Sequence, residues 1–192
     1  MKRTIGVAVG FVLSMGSMTN VASAAQPKLS SELLRVSQKP IGWSVDNSSS
    51  GSGIGCLANI LEPKCVKQTS QANVALDDNG NWPLVTEKLS TYSNITTAYK
   101  KIVSTLNGCK HVSGSSGGTK ATGIVGPMSF PHYGNASAAF SVSLVTQGTT
   151  YGEDLLIVRK GSVIMGISEA DLPPVDVSQF QGFVLKALAS VK

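Results

Sequence analysis

The chain has 192 residues, of which 42% are hydrophobic and 14% charged, with a formal net charge of +5 at pH 7. The part beyond residue 24 suits one domain that can build a core without depending on crosslinks. The positive charge does not indicate a nucleic-acid partner, because beyond the N-terminus only Lys100-Lys101 and Arg159-Lys160 are adjacent basic pairs. We therefore expect no nucleic-acid partner.

Residues 1–24 predict a secretory signal peptide. Lys2 and Arg3 form the positive region, and the apolar run over residues 5–15 is too short for a stable membrane anchor. Small residues end the segment, so we expect cleavage between Ala24 and Ala25. No cysteine lies near that junction to be acylated. We expect a secreted, extracellular or cell-envelope protein with no membrane anchor in the mature chain.

Residues 25–53 predict a short N-terminal helix followed by a flexible loop. Apolar residues recur at helical spacing over residues 29–36, with Pro40 just beyond. Residues 46–53 are almost entirely Ser, Asn, Asp and Gly, so they cannot bury apolar area. Residues 54–192 then predict a single α+β domain.

That domain begins with a strand pair and a helix. Residues 69–76 predict a strand that ends at the turn signal Asn79-Gly80. Residues 84–92 predict the second strand, with a helical turn near Pro83 as the alternative. Asn94 or Ser93 caps the next helix, in which apolar residues recur at helical spacing up to Gly108.

Four β-prone runs and a final helix complete the chain. The runs cover residues 121–130, 136–146, 151–159 and 162–167, and short connections between them force antiparallel neighbours. Asp176 predicts the N-cap of a C-terminal helix. The predicted fold class is therefore α+β: an antiparallel β-sheet, a meander, with helices packed on one face and a C-terminal helix.

The three cysteines, Cys56, Cys65 and Cys109, predict one disulfide and one free thiol in an oxidising compartment. In the chain-entropy model a Cys56 to Cys109 bridge gives about 4 kcal/mol, against about 2.5 kcal/mol for Cys56 with Cys65. We expect Cys56 paired with Cys109 and Cys65 free, with a Cys65 to Cys109 bridge as the chief alternative.

No catalytic or metal-binding set stands out. Ser116 lies in a formal GxSxG pattern, but the pattern follows a helix and precedes a strand, so residues 113–118 predict a flexible connector. The pairs Glu153-Asp154 and Glu169 with Asp171 lack calcium-loop spacing and predict solvated turns. We expect no catalytic residue, no metal and no cofactor. His132 and Tyr133, in a connection between two strands, are the candidate ligand-binding residues.

Several short motifs are similar to those of the exported PknH-like extracellular sensor domains of mycobacteria and their relatives. The motifs are Gly42-Trp43-Ser44, Gly55-Cys56-Leu57, Glu87-Lys88-Leu89-Ser90-Thr91-Tyr92, Ala98-Tyr99, Leu106-Asn107-Gly108-Cys109 and residues 154–161. The resemblance implies a sheet against helices, a cleft for an unidentified envelope ligand, and Cys56 and Cys109 as the family-like cysteines. Unlike the receptor members, this chain has no kinase and no membrane helix.

These observations predict a secreted, non-enzymatic binding or sensor-like domain of the cell envelope, whose ligand is an unidentified small molecule, a lipid or a glycan. One alternative is a secreted structural or host-facing interaction protein. The other is a hydrolase that uses His132 or Ser116. A serine within hydrogen-bond reach of a histidine would favour the hydrolase.

Overall fold

An antiparallel sheet of eight strands organises the chain in the computed structural model, which describes residues 29–38, 42–46, 54–116, 119–172 and 175–192. The predicted signal peptide and residues 47–53 of the predicted loop lie outside these ranges. Within them, no helix has both the length and the apolar character needed to span a bilayer.

The strands and helices have the following bounds: β1 Ser44–Val45, β2 Gln68–Asp78, β3 Asn81–Tyr92, α1 Ile95–Gly108, β4 His111–Ser116, β5 Thr119–Pro127, β6 Ala136–Thr146, β7 Thr149–Lys160, β8 Val163–Asp171 and α2 Val177–Ser190. Strands β4 to β8 form a meander, and β8 then pairs with β3 of the first hairpin, giving the order β1-β2-β3-β8-β7-β6-β5-β4. The predicted antiparallel sheet and C-terminal helix are confirmed.

The prediction that the helices share one face of the sheet is wrong. Leu155 and Ile157 of β7 pack in the same core as α1, whereas Leu156 and Val158 pack in the same core as α2. Because alternate residues of a strand point to opposite faces, the two helices lie on opposite sides of the sheet. We call these sides the α1 face and the α2 face.

The helix predicted over residues 29–36 is also wrong. The chain instead makes two short 3-10 turns, Leu29–Ser31 and Val36–Gln38. Its three leucines, Leu29, Leu33 and Leu34, are buried in the α2-face core. The Leu34 N–H donates to Glu87 Oε2 of β3 at 2.6 Å, and not to a carbonyl of its own segment. Contact with the sheet therefore overrides the local helical pattern.

Both helices begin at the predicted caps. Asn94 Oδ1 accepts a hydrogen bond from the Thr97 N–H at 3.0 Å, and Asp176 Oδ1 accepts from the N–H groups of Ser178 and Gln179. These bonds satisfy donors that the first turn of a helix leaves without partners.

The flexible connector predicted over residues 113–118 is wrong for its described part. Residues 111–116 form the edge strand β4, paired with β5, and residues 117–118 lie outside the described ranges. A Cβ atom at Gly114 would lie 2.9 Å from Ile54 Cβ. The absence of a side chain at Gly114 thus lets the segment at Ile54, which precedes the first hairpin, pack directly onto β4. The glycine in this Ser- and Gly-rich stretch therefore serves close packing.

A disulfide joins Cys56 to Cys109, with 5.8 Å between their Cα atoms, and Cys65 is an exposed free thiol. Cys56 lies in a 3-10 turn, Gly55–Leu57, and Cys109 follows the last residue of α1. The bridge therefore fixes the segment that precedes the first hairpin against the end of the helix.

Gly123 and Gly126, both on β5, provide a matched test of the packing between β5 and β6. A Cβ atom at Gly123 would lie 2.3 Å from the Ser143 carbonyl oxygen, whereas nothing lies within 4 Å of one at Gly126. We expect Gly123→Ala to lower the free energy of unfolding by about 1–3 kcal/mol, as overpacking does. Gly126→Ala should leave it unchanged or raise it slightly. Urea unfolding of the two variants measures the difference, and equal midpoints would show that β5 and β6 can separate without cost.

Candidate functional site

A cavity of about 260 Å³ lies beside the connection between β5 and β6. Strand β5 ends at Pro127, which is opposite Phe140 of β6. The first residues of β6, 136–139, therefore pair with β7 on one side only. The connection crosses their free edge, where the Met128 N–H donates to the Ala139 carbonyl at 3.0 Å, and the cavity forms at this crossing.

The cavity is lined by apolar and polar residues. The apolar ones include Met128, Phe130, Phe140 and Leu156, and the polar side chains are Asn107 at the end of α1, His132 and Ser137. Small-molecule sites are usually more apolar, and the volume is slightly below their usual range of about 300–1,000 Å³. The cavity can therefore hold a small ligand or one part of a larger one.

His132 lies in this cavity beside Ser137. The His132 Nδ1 atom is 3.1 Å from Ser137 Oγ, which also accepts a hydrogen bond from the Tyr133 N–H at 3.0 Å. In the tautomer in which the Ser137 hydroxyl donates to Nδ1, the ring proton lies on Nε2. In this arrangement Nε2–H is a donor that a ligand can use.

Tyr133 has a different place. Its hydroxyl accepts a hydrogen bond from Gln181 Nε2 of α2 at 3.1 Å, and its ring centroid is 6.1 Å from that of Phe130. Phe130 in turn packs against Phe180 of α2. The structure therefore brings His132 to the cavity but places Tyr133 in the contact between the connection and α2. The other two polar lining residues, Asn107 and Ser137, were not predicted from the sequence to bind a ligand.

The remaining candidates from the sequence do not come together with His132. His111 is exposed on edge strand β4. Ser116 ends the same strand, opposite Thr119, so its surroundings differ from the strand-to-helix turn that a nucleophile elbow requires. In the part of the chain that the structure describes, no three His, Cys, Asp or Glu side chains are grouped so that they could hold a metal ion.

Buried carboxyl groups on the central strands form a second notable feature. Glu153 and Asp154 of β7 and Glu169 of β8 are 5%, 7% and 0% exposed, so the solvated turns predicted for them are wrong. Burial raises the pKa of Glu153 to about 8 and that of Glu169 to about 8. Burial also raises the pKa of Glu87 on β3 to about 7. The hydrogen bond from the Leu34 N–H stabilises the carboxylate and lowers this pKa in part.

These carboxyl groups have incomplete hydrogen bonding. Gln179 Nε2 of α2 donates to Glu169 Oε1 at 2.9 Å, and a hydrogen bond from Ser168 lowers the pKa of Glu153 in part. The second oxygens, Glu87 Oε1, Glu153 Oε2 and Glu169 Oε2, are buried without a partner. Since buried polar groups normally have partners, each of these oxygens needs a physical explanation.

Comparison with known proteins identifies the fold. No family model matches the chain, and no curated protein matches it. The crystal structure of the extracellular domain of PknH from Mycobacterium tuberculosis is similar in structure, with a TM-score of 0.58 and 10% sequence identity. The match covers 83% of this chain and 94% of that domain. At this identity the likeness shows a shared fold.

Proposed function

We propose that this chain is an exported, non-enzymatic binding domain of the cell envelope, sensor-like in its fold, and that the cavity at the β5–β6 connection takes its ligand. The observation that carries the proposal is the cavity itself, lined by apolar residues and three polar side chains. Two features support export. The fold resembles an extracellular domain, and the disulfide needs an oxidising compartment to persist.

The lining indicates the chemistry of the ligand. None of the side chains around the cavity is a carboxylate, lysine or arginine. A neutral amphipathic ligand therefore fits, with an alkyl or ring portion on the half-buried Met128 and Phe130. Its hydroxyl or carbonyl oxygens would bond to Asn107 and to His132 Nε2–H. Lipids and glycolipids of the envelope contain both portions.

An NMR titration with octyl glucoside, kept below its micelle concentration, tests this proposal. We expect saturable shifts of backbone amides within residues 128–140. His132→Ala should weaken binding about tenfold, the effect of one lost hydrogen bond of about 1.4 kcal/mol. His111→Ala, which removes an exposed histidine from β4, should leave the affinity unchanged. Shifts that fall elsewhere, or equal effects of the two variants, would contradict the proposal.

A hydrolase is the second candidate, because Ser137 Oγ lies 3.1 Å from His132 Nδ1. No Asp or Glu of the described residues hydrogen-bonds to His132, and Ser137 Oγ already accepts the Tyr133 N–H. Both features leave the serine poorly activated. We expect no turnover of p-nitrophenyl esters above the rate of the Ser137→Ala variant. A rate that this substitution abolishes would establish the hydrolase.

A further inference from the structure

Helix α2 leaves part of its own face of the sheet uncovered. Its core includes residues of β2, β3, β7 and β8, whereas Thr122 and Ile124 of β5 and Ser141 and Val145 of β6 are exposed on the same face. Ile124 of β5 and Val145 of β6, for example, are 58% and 44% exposed. The border between the covered and the open part of this face runs along β7.

Two carboxyl groups lie next to each other at that border. Asp154 of β7 is directly opposite Glu169 of β8 in the strand register. Both belong to the α2 face, because Leu156 and Ile167, two residues away on the same strands, pack in the α2-face core. Cβ atoms of directly opposite residues are about 4.5–5.5 Å apart, so the two carboxyl groups are neighbours.

The row continues onto the open face with small residues. Ser141 of β6 is opposite Asp154, and Gly126 of β5 is opposite Ser141. Ser141 is exposed, and the space over Gly126 is open. The N-terminal turn of α2, held to Glu169 by Gln179, stands on the other side of the acids. We call the region formed by Glu169, Asp154, Ser141 and Gly126 the acidic recess.

The carboxyl groups of the acidic recess have no basic partner within the described residues. No lysine, arginine or histidine there is hydrogen-bonded or ion-paired to Asp154 or Glu169. The charges of Asp171 and Asp176 act on Glu169 in the same unfavourable direction as that of Asp154. In addition, Glu169 is 0% exposed and its Oε2 atom has no hydrogen-bond partner. Two adjacent buried carboxyl groups are costly to ionise unless a cation joins them.

We propose that the acidic recess is a binding site for a primary ammonium group of an organic ligand. An ammonium carries three donors, and Asp154 and the exposed Ser141 offer acceptors at the border of the open face, with Glu169 next to Asp154. A metal ion fits less well, because the described residues do not bring three suitable ligands together. The ammonium site does not depend on the cavity at His132 and can exist without it.

Titration with butylamine, followed by the amide NMR signals of the whole chain, tests this site. We expect saturable shifts at Gly126, Ser141, Asp154 and Glu169, and none with butan-1-ol, which has the same length without the charge. Asp154→Asn should weaken butylamine binding at least tenfold. Glu153→Gln is the matched control, because it removes a buried carboxyl from the neighbouring position on the α1 face. The affinity of the Glu153→Gln variant for butylamine should equal that of the wild type.

A second variant avoids any effect on the core. Ser141 is exposed, so Ser141→Leu should fold normally and should block the recess, again with at least a tenfold loss of butylamine affinity. The proposal would be overturned by equal shifts with butan-1-ol or by unchanged affinity in Ser141→Leu. It would also be overturned if calcium chloride gave the same shifts more strongly than butylamine, since the recess would then be a metal site. Octyl glucoside binding should be unaffected by Asp154→Asn, which separates this site from the proposed function.

Discussion

The free energy of unfolding should fall as the pH rises from 5 to 8.5. Burial raises the pKa of Glu87 to about 7 and those of Glu153 and Glu169 to about 8, from an ordinary glutamate pKa of 4.5. Between 4.5 and these values the folded protein keeps protons that the unfolded chain releases, so stability decreases with pH. Each group that titrates in this way contributes a slope of about 1.36 kcal/mol per pH unit.

Glutamine substitutions identify the groups responsible. In Glu153→Gln and Glu169→Gln the amide keeps the shape but does not ionise. Each should flatten the pH dependence and stabilise the protein at pH 8.5 by about 1–3 kcal/mol, the usual cost of an uncompensated buried polar group. Lys100→Gln, at an exposed position of α1, serves as the control for a change of net charge outside the core. Urea unfolding at pH 5, 6.5 and 8.5 measures the slopes, and stability that is constant or increases over this range would contradict the pKa shifts.

The sequence predicted the hairpin turn and the two helix N-caps correctly, because neighbouring residues determine these features. The Asn79-Gly80 turn has positive φ at both residues, 51° and 81°, which matches the hairpin turn that the dipeptide favours. Asn94 and Asp176 accept the first-turn N–H groups of α1 and α2 as their residue types predict. In each case the residues that carry the signal also make the contact.

The side of the sheet on which each helix lies depends on contacts between distant residues. Periodicity identifies the buried stripe of α1 or α2 but not the side on which it packs. The sequence does contain an indirect sign, because residues 155–158 and 163–167 are nearly continuous apolar runs. Such runs are typical of strands that are covered on both faces. Leu29, Leu33 and Leu34 were misleading for a related reason, since their spacing does not show that the Leu34 N–H bonds to Glu87 of the distant strand β3.

The candidate site was predicted only in part. His132 lies in a connection between strands, where functional side chains are common, and it does line the cavity. Asn107 and Ser137 line the same cavity because β5 ends at Pro127 and leaves the edge of β6 free. No local sequence pattern predicts where β5 ends. Asp154 and Glu169 become neighbours only through the register of β7 and β8. Glutamate and aspartate within strands therefore looked like solvated residues.

Removal of the disulfide should destabilise the protein by about 2–5 kcal/mol, the range found for native bridges in small exported domains. The bond joins residues 53 apart in sequence and thus restrains a long segment of the unfolded chain. We expect this loss in Cys56→Ser with Cys109→Ser. The double variant is preferable to either single one because Cys109 is 3% exposed, and a single change would leave its thiol unpaired in the core.

Cys65→Ser is the matched control, because it removes the exposed free thiol and should leave the unfolding midpoint in urea unchanged. Dithiothreitol should lower the midpoint of the wild type to that of the double variant and should not affect the double variant itself. If dithiothreitol left the urea midpoint of the wild type unchanged, the prediction would be wrong. Packing in the α1-face core would then hold the segment at Cys56 in place without the disulfide. Because reduction should lower the free energy of unfolding, the protein has its full stability only in a compartment where disulfides persist. The proposed export would place it in such a compartment.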